Sequence, residues 1–268
     1  THPDSHEYYC RLAAANGVPV IVCEKPVSDT LRGARRIAAL ETEYGVRIIT
    51  NHERRYAEDY IAAKQILRKG TLGQLRSVKC CLYMGEKRRM LDVLWHDGTH
   101  LADALMYLCG ADLRYEKHLG DPLTSRKGTA WLFGHTRPFC IGGKSRNKPD
   151  KENPGQESSE LSSPLPFVFE IGAERDHLVF ELEFSCTRGR LSIGNGVYEI
   201  WQSGESPYAR GFRSLERIQS GFGGQSCYFT NMLKDAVACV HDRSRLPVSG
   251  AGDGLRVIEF LHSVQRWR

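Results

Sequence analysis

Two stretches bring reactive side chains together at spacings that matter. In Val18-Pro19-Val20-Ile21-Val22-Cys23-Glu24-Lys25-Pro26 an acid and an amine close an apolar run. An amine at the end of a buried strand can donate to a substrate oxygen and stabilise charge that develops there. Burial also lowers its pKa toward neutrality. The plain alternative is a surface lysine in a turn. Pro26 restricts Lys25 to extended backbone and permits either peptide isomer. The second stretch is Trp95-His96-Asp97-Gly98-Thr99-His100-Leu101-Ala102-Asp103. A histidine with an unperturbed pKa near ~6.5 suits proton exchange at neutral pH, although a cap or a core hydrogen bond would also use one. On a helix, His96 and His100 would share a face and could grip a zinc ion together. Asp97-Gly98 does not make His-Glu-x-x-His, and no third strong ligand is evident, so no metal is expected.

The elements around these residues must position them. Residues 18–26 read as a strand buried on both faces. A helix over 5–16 precedes it, stopped by Gly17. Ser28 or Asp29 is expected to cap a second helix running to about Tyr44, before an apolar strand over 47–50. Helix, strand, helix, strand is the grammar of a parallel sheet covered by helices. Ligands of such sheets sit beyond the carboxyl ends of the strands, where Glu24, Lys25 and Asn51 fall. A helix over 57–69 and the turn Gly70-Thr71-Leu72-Gly73 lead to a strand over 74–83. A helix is expected over 95–108, with Asp97 or Thr99 near its start. Residues 111–142 read as strands and turns, clearest at 129–133. Alternating segments at 167–171, 178–184, 190–193 and 197–201 predict an antiparallel sheet with one face packed and one face open. Helices over 225–241 and 252–265 close the chain. Residues 143–166, rich in Ser, Pro, Lys, Glu and Asn, read as a mobile surface insertion.

Composition removes several classes of function. The 268 residues are 41% hydrophobic and carry a net charge of +5, values of a globular protein with a substantial core. No run approaches the roughly 20 apolar residues of a membrane span, and the start lacks a signal-peptide layout. The basic clusters Arg32-Arg35-Arg36, Lys87-Arg88-Arg89 and Lys144-Arg146-Lys148 are separated and lack interleaved aromatics. Solvated surface charge explains them better than nucleic-acid binding. The nine cysteines are scattered. Cys10, Cys23, Cys109 and Cys239 sit in apolar settings, as reduced core thiols of a cytoplasmic protein would, and adjacent Cys80 and Cys81 would point to opposite faces of a strand.

Thr1-His2-Pro3-Asp4-Ser5-His6, Cys23-Glu24-Lys25-Pro26, Arg54-Arg55-Tyr56, Gly70-Thr71-Leu72-Gly73 and Gly98-Thr99-His100-Leu101-Ala102-Asp103 occur in this order. Together they resemble the Gfo/Idh/MocA family of NAD(P)-dependent oxidoreductases. The resemblance covers nearly the whole chain and is weakest near 143–166. It implies an α/β plus α+β fold. Residues 1–55 would be the C-terminal part of a Rossmann-like dinucleotide-binding sheet. Residues 56–268 would be a substrate and oligomerisation domain with a large, mostly antiparallel open sheet and flanking helices. It further implies hydride transfer between NAD or NADP and a secondary alcohol of a sugar, inositol or sugar derivative, in a homo-oligomer joined through the open sheet. Lys25 would orient and polarise the oxygen and His100 would move the proton. Thr1, His6, Glu24, Lys25, Asn51 and Arg55 match positions around the nicotinamide. Trp95, Asp97 and Asp103 complete the expected substrate surroundings, with Asp103 also suited to orienting His100 or pairing with an arginine. Arg54 reads as a solvated neighbour.

The chain departs from the family pattern in two places. The family usually has an aspartate four residues before the histidine; His96 stands there, and the nearest acid is Asp97. His96 supplies no fixed negative charge, but it can hydrogen-bond a substrate and is expected to assist catalysis with Lys25 and His100 in place of the usual acid. No Gly-x-Gly-x-x-Gly joins a strand to a helix, so the sequence is expected to be an incomplete reading of a longer protein. The rival expectation is a non-catalytic relative serving as a ligand-sensing or dimerisation module.

Overall fold

The computed structural model describes residues 1–85, 88–138, 140–141, 144–145 and 163–266. Its first unit is built from α1 (His6–Ala15), β1 (Val20–Cys23), α2 (Leu31–Tyr44) and β2 (Arg47–Thr50). The strands pair in parallel, Val20 opposite Arg47 through Cys23 opposite Thr50, so both deliver their carboxyl ends to one edge. Helix α2 begins where Thr30, in extended backbone, accepts from the Gly33 N–H at 3.1 Å. Ser28 instead receives the Thr30 N–H and shapes the turn before the helix. The cap is therefore Thr30, not Ser28 or Asp29: it stands in extended backbone and its hydroxyl accepts the N–H three residues on. Gly45 in left-handed backbone ends the helix, and Ala34, Ile37 and Leu40 line its buried face.

Strand β1 is not buried on both faces. Val20 and Ile21 are half-buried, Val22 is 44% exposed and Cys23 is buried. Among the described residues β1 pairs only with β2, and Val22 lines an open groove against α1.

A 3₁₀ turn (Glu53–Tyr56) and α3 (Glu58–Arg68) lead to β3 (Leu75–Met84), α4 (Met90–His96) and α5 (Gly98–Cys109). Strands β4 (Ala111–Gly120) and β5 (Thr129–Pro138) precede the short pair β6 (Cys140–Ile141) and β7 (Lys144–Ser145). Strands β8 (Pro166–Gly172), β9 (Leu178–Cys186), β10 (Gly189–Gly194), β11 (Val197–Glu205) and β12 (Arg213–Ser220) follow, then α6 (Tyr228–His241) and α7 (Ala251–Arg266). The large sheet runs β12-β11-β10-β9-β3-β8-β5-β4, parallel only between β3 and β8. This is the α/β plus α+β architecture expected. Strand β12 was not anticipated, since its residues are mostly exposed and do not alternate in polarity. Of the expected insertion at 143–166, residues 143 and 146–162 lie outside the described residues. Leu165 is already buried, its N–H bonded to Thr136.

Alternation along β3 turns Val78, Cys80 and Leu82 into the core and Lys79 outward. Helix α7 ties the two sheets together. Its Phe260 packs edge-on to Phe169, ring centroids 5.5 Å apart, and each such buried side chain stabilises the fold by about 1.5–3 kcal/mol. Just before it, the Ser249 carbonyl accepts from Thr50 N–H at the end of β2. Gly254 sits so close to the first sheet that an added Cβ would lie 2.7 Å from Thr50 Oγ1 and 3.0 Å from Val27 Cβ.

The helix expected over 95–108 is two helices. Asp97 precedes α5, while Trp95 and His96 end α4. The join is tight because position 98 has no Cβ; one would lie 2.8 Å from Leu94 Cδ1. His96 and His100 therefore do not stand four apart on one helix, and the shared-face geometry weighed for them does not form.

Candidate active site

The polar residues gather where the carboxyl ends of β1 and β2 meet the start of α5. From the turn after β1, with its Lys25–Pro26 peptide cis, Lys25 Nζ donates to the His96 carbonyl at 2.8 Å. That carbonyl, in the last turn of α4, also accepts from Thr99 Oγ1 at 3.0 Å, and the end of a helix favours a cation. The amine is thus held beside the start of α5. Glu24 is exposed but fixed: one oxygen accepts from Asn51 Nδ2 at 2.7 Å and the other from Lys25 N–H. Asn51 N–H in turn bonds the Cys23 carbonyl. Asn51 Oδ1 is buried and has no hydrogen-bond partner.

His100, one turn into α5, is 14% exposed, its Nδ1 standing 3.2 Å from Glu53 Oε2. Burial first, then the charges of Lys25 and Arg54, hold its pKa well below the ordinary value. It is therefore neutral at pH 7. Burial raises the Glu53 carboxyl, against the opposing pull of Arg54, His52 and Lys25.

Beneath these groups lies a buried ionic network. Asp103, 1% exposed, receives Arg55 Nε at 2.9 Å and lies 2.9 Å from His52 Nδ1. Arg55 also pairs with Asp253 at 2.9 Å and donates to the Val248 carbonyl. Burial alone would raise the Asp103 carboxyl, but Arg55 and His52 outweigh it and hold it far below the usual carboxylate range. Arg55 is likewise held charged by Asp103 and Asp253 against the cost of burial. The network joins the turn after β2, helix α5 and the start of α7.

Of the other anticipated residues, His6 is buried with Nδ1 3.2 Å from the Pro26 carbonyl and Nε2 3.3 Å from that of Thr1. Asp97 accepts from Arg88 at 2.8 Å. Trp95 is half-buried against the core, and the His96 side chain is exposed. Arg54 is not a solvated neighbour. Its guanidinium lies 3.8 Å from the Phe180 ring centroid and donates to Tyr60 and Asn195. Sequence reasoning missed Glu53, His52 and Asp253. The run Asn51-His52-Glu53-Arg54-Arg55 directly after an apolar strand was the available signal for the first two; Asp253 enters only through the return of α7.

A groove of about 500 Å³ beside β1 is lined by Thr1, His6, Tyr9, Ile21, Val22 and Glu24. Its wall is mostly apolar, and Asn51 stands outside it, behind Glu24. Among the described residues no group of three His, Cys, Asp or Glu side chains could hold a metal ion.

No family model matches the chain. An inositol 2-dehydrogenase from Pseudomonas fluorescens is 39% identical over 112 residues, 40% of this chain and 33% of that protein. The match thus spans about a third of the curated relatives. An oxidoreductase structure from Sinorhizobium meliloti superposes with a TM-score of 0.70 at 15% identity, over 99% of this chain and 76% of that one. One from Agrobacterium radiobacter, in complex with NAD+, L-tartaric acid and magnesium, gives 0.64 at 12% identity, over 100% and 77%. In the stretch matched to inositol 2-dehydrogenases, in its fold and in the motifs at Lys25 and His100, the chain is similar to the Gfo/Idh/MocA oxidoreductases.

Proposed function

We propose that the protein is an NAD(P)-dependent dehydrogenase acting on a secondary alcohol of a cyclic polyol or sugar. The observation that carries this reading is the convergence of a lysine amine and a neutral histidine outside the ends of two parallel strands. Lys25, anchored on the His96 carbonyl, orients the substrate oxygen and stabilises negative charge on it. His100 takes the hydroxyl proton during oxidation and returns it during reduction; its depressed pKa keeps it ready to accept. Nicotinamide bound in the groove supplies the hydride acceptor or donor. Thr1, His6 and Glu24 on the groove wall would hold that cofactor end, with Asn51 bracing Glu24 from behind. Asp103 and Arg55 act from below, keeping the turn after β2 against α5. His96 and Trp95 border the substrate side, and Asp97, tied to Arg88, fixes the join between the helices.

The inositol 2-dehydrogenase relatives support a cyclic polyol as the substrate class. The outer face of the large sheet, with Lys79, Tyr83, Glu170 and Trp131 side by side, is the surface proposed for self-association. Among the described residues no helix is long and apolar enough to cross a membrane, and eight cysteines are free thiols, in keeping with a reducing compartment such as the cytoplasm.

The test is a fluorescence titration with NADH and NADPH, followed by turnover of a panel of polyols and sugars read as reduced nicotinamide. Saturable binding and turnover of at least one cyclic substrate are expected. Absence of binding to both nucleotides would sink the reading.

A further inference from the structure

The helix that carries His100 leaves it without an acid partner of its own. Asp97 is bound to Arg88. Asp103 is locked between Arg55 and His52. His96 adds no fixed negative charge. A carboxylate nevertheless approaches His100 from another element: Glu53, first residue of the 3₁₀ turn after β2, brings Oε2 to 3.2 Å from His100 Nδ1, a buried nitrogen that has no aligned hydrogen-bond partner. His100 is the only ion-pair neighbour of Glu53 among the described residues.

We infer that Glu53 is the carboxylate partner of His100, fixing its ring and sharing its proton during the alcohol chemistry. The inference rests on the dehydrogenase reading above. Nδ1 makes no hydrogen bond in the structure; a small turn of the ring would align an Nδ1 proton with the nearby Glu53 carboxylate and leave the Nε2 lone pair for the substrate. In oxidation the substrate O–H bond breaks and its proton goes to Nε2. The Nδ1 proton is drawn to Glu53 Oε2, and a bound oxidised nicotinamide would take up the electron pair of the substrate C–H bond as hydride. Reduction reverses each movement.

The surroundings favour such sharing. Burial raises the Glu53 carboxyl and lowers the His100 ring, so the two proton affinities approach each other. Lys25 from the turn after β1, His52 and Arg54 beside Glu53, and Asp103 on α5 are the charged groups acting on the pair. Three of these are basic, and they oppose a net positive charge on His100. The Glu53 carboxylate offsets them. Glu53 does not itself need to touch substrate; it is a positioning and proton-sharing residue.

The test follows the histidine ring C–H signals of the ligand-free chain against pH, with His100→Gln identifying the resonance. In the wild type the first protonation step seen at His100 belongs to the pair. In Glu53→Gln that step should move down by about one pH unit or more, and Glu53→Asp should restore part of the shift. Unchanged signals from His6, away from the pair, would verify the fold of each variant. The pH profile of kcat/KM for oxidation should shift its acid limb in the same direction. A His100 titration unaltered by Glu53→Gln overturns the inference, whatever the turnover. A shifted titration with an unshifted rate profile overturns the proton-sharing role. If no alcohol is turned over while the ring titration shifts, the dehydrogenase reading fails but the pairing of Glu53 with His100 stands.

Discussion

Replacing Asp103 by Asn tests the foundation of the site. The substitution keeps the shape of the side chain and leaves no cavity, so its cost is electrostatic. Arg55 and His52 would lose a carboxylate that lies within 3.0 Å of both in a site 1% exposed. Removing one partner of a buried ion pair typically costs about 3–5 kcal/mol, because the remaining charge is left uncompensated. Asp253 still reaches Arg55 at 2.9 Å, which favours the lower end, about 3 kcal/mol. For 268 residues, an unfolding entropy of about 2.1 cal/mol/K per residue converts 3 kcal/mol to a fall in Tm of roughly 5 °C. The pH dependence follows from the depressed carboxyl. Its contribution is complete above the unfolded value of about 3.9 and disappears as pH falls through the lower folded value. Asp103→Asn should therefore lose stability at neutral pH and approach the wild type in acid. Urea unfolding between neutral pH and about pH 3 reads both effects. A cost below about 1 kcal/mol at pH 7, or a cost independent of pH, would refute the assignment of Asp103 as the buried counter-charge.

Three further outcomes are expected. Thr30→Ala removes the hydroxyl that caps α2 and should cost about 1 kcal/mol in urea unfolding, with activity retained. Arg54→Ala loses the stacking on Phe180 and the bonds to Tyr60 and Asn195, a destabilisation of about 1–3 kcal/mol. It also removes a positive charge acting on His100, so the ring signal of His100 should titrate at higher pH than in the wild type. Alcohol oxidation should retain its rate as pH falls through about 6.5 and fail only below it, because the folded pKa of His100 is depressed and the base stays unprotonated; a pH–rate profile checks this.

The parts of the site legible in the sequence were those encoded by local chemistry. Lys25 could be found because an apolar strand ends on it, and the parallel pairing of residues 20–23 with 47–50 put Asn51 at the same edge. Tertiary context decided what stayed hidden. The single helix expected over 95–108 breaks at Gly98, where an added Cβ would lie 2.8 Å from Leu94 Cδ1, and the break separates His96 from His100. Ser28 and Asp29 have capping side chains, but Thr30 holds the backbone angles a cap needs. Arg54 looked solvated because its partners Phe180 and Asn195 are distant in sequence. Glu53 carries no motif of its own; only the turn after β2 brings it to His100.

The most direct measurement is the steady-state rate of nicotinamide-linked oxidation of a cyclic polyol by the wild type and by Lys25→Ala, with the unfolding of both recorded. The site chemistry predicts a loss in kcat of roughly 100- to 1000-fold with an unchanged unfolding curve, because the Lys25 side chain is half-buried and its amine is bonded only to the His96 carbonyl among the described residues. Equal turnover by the two proteins would contradict it.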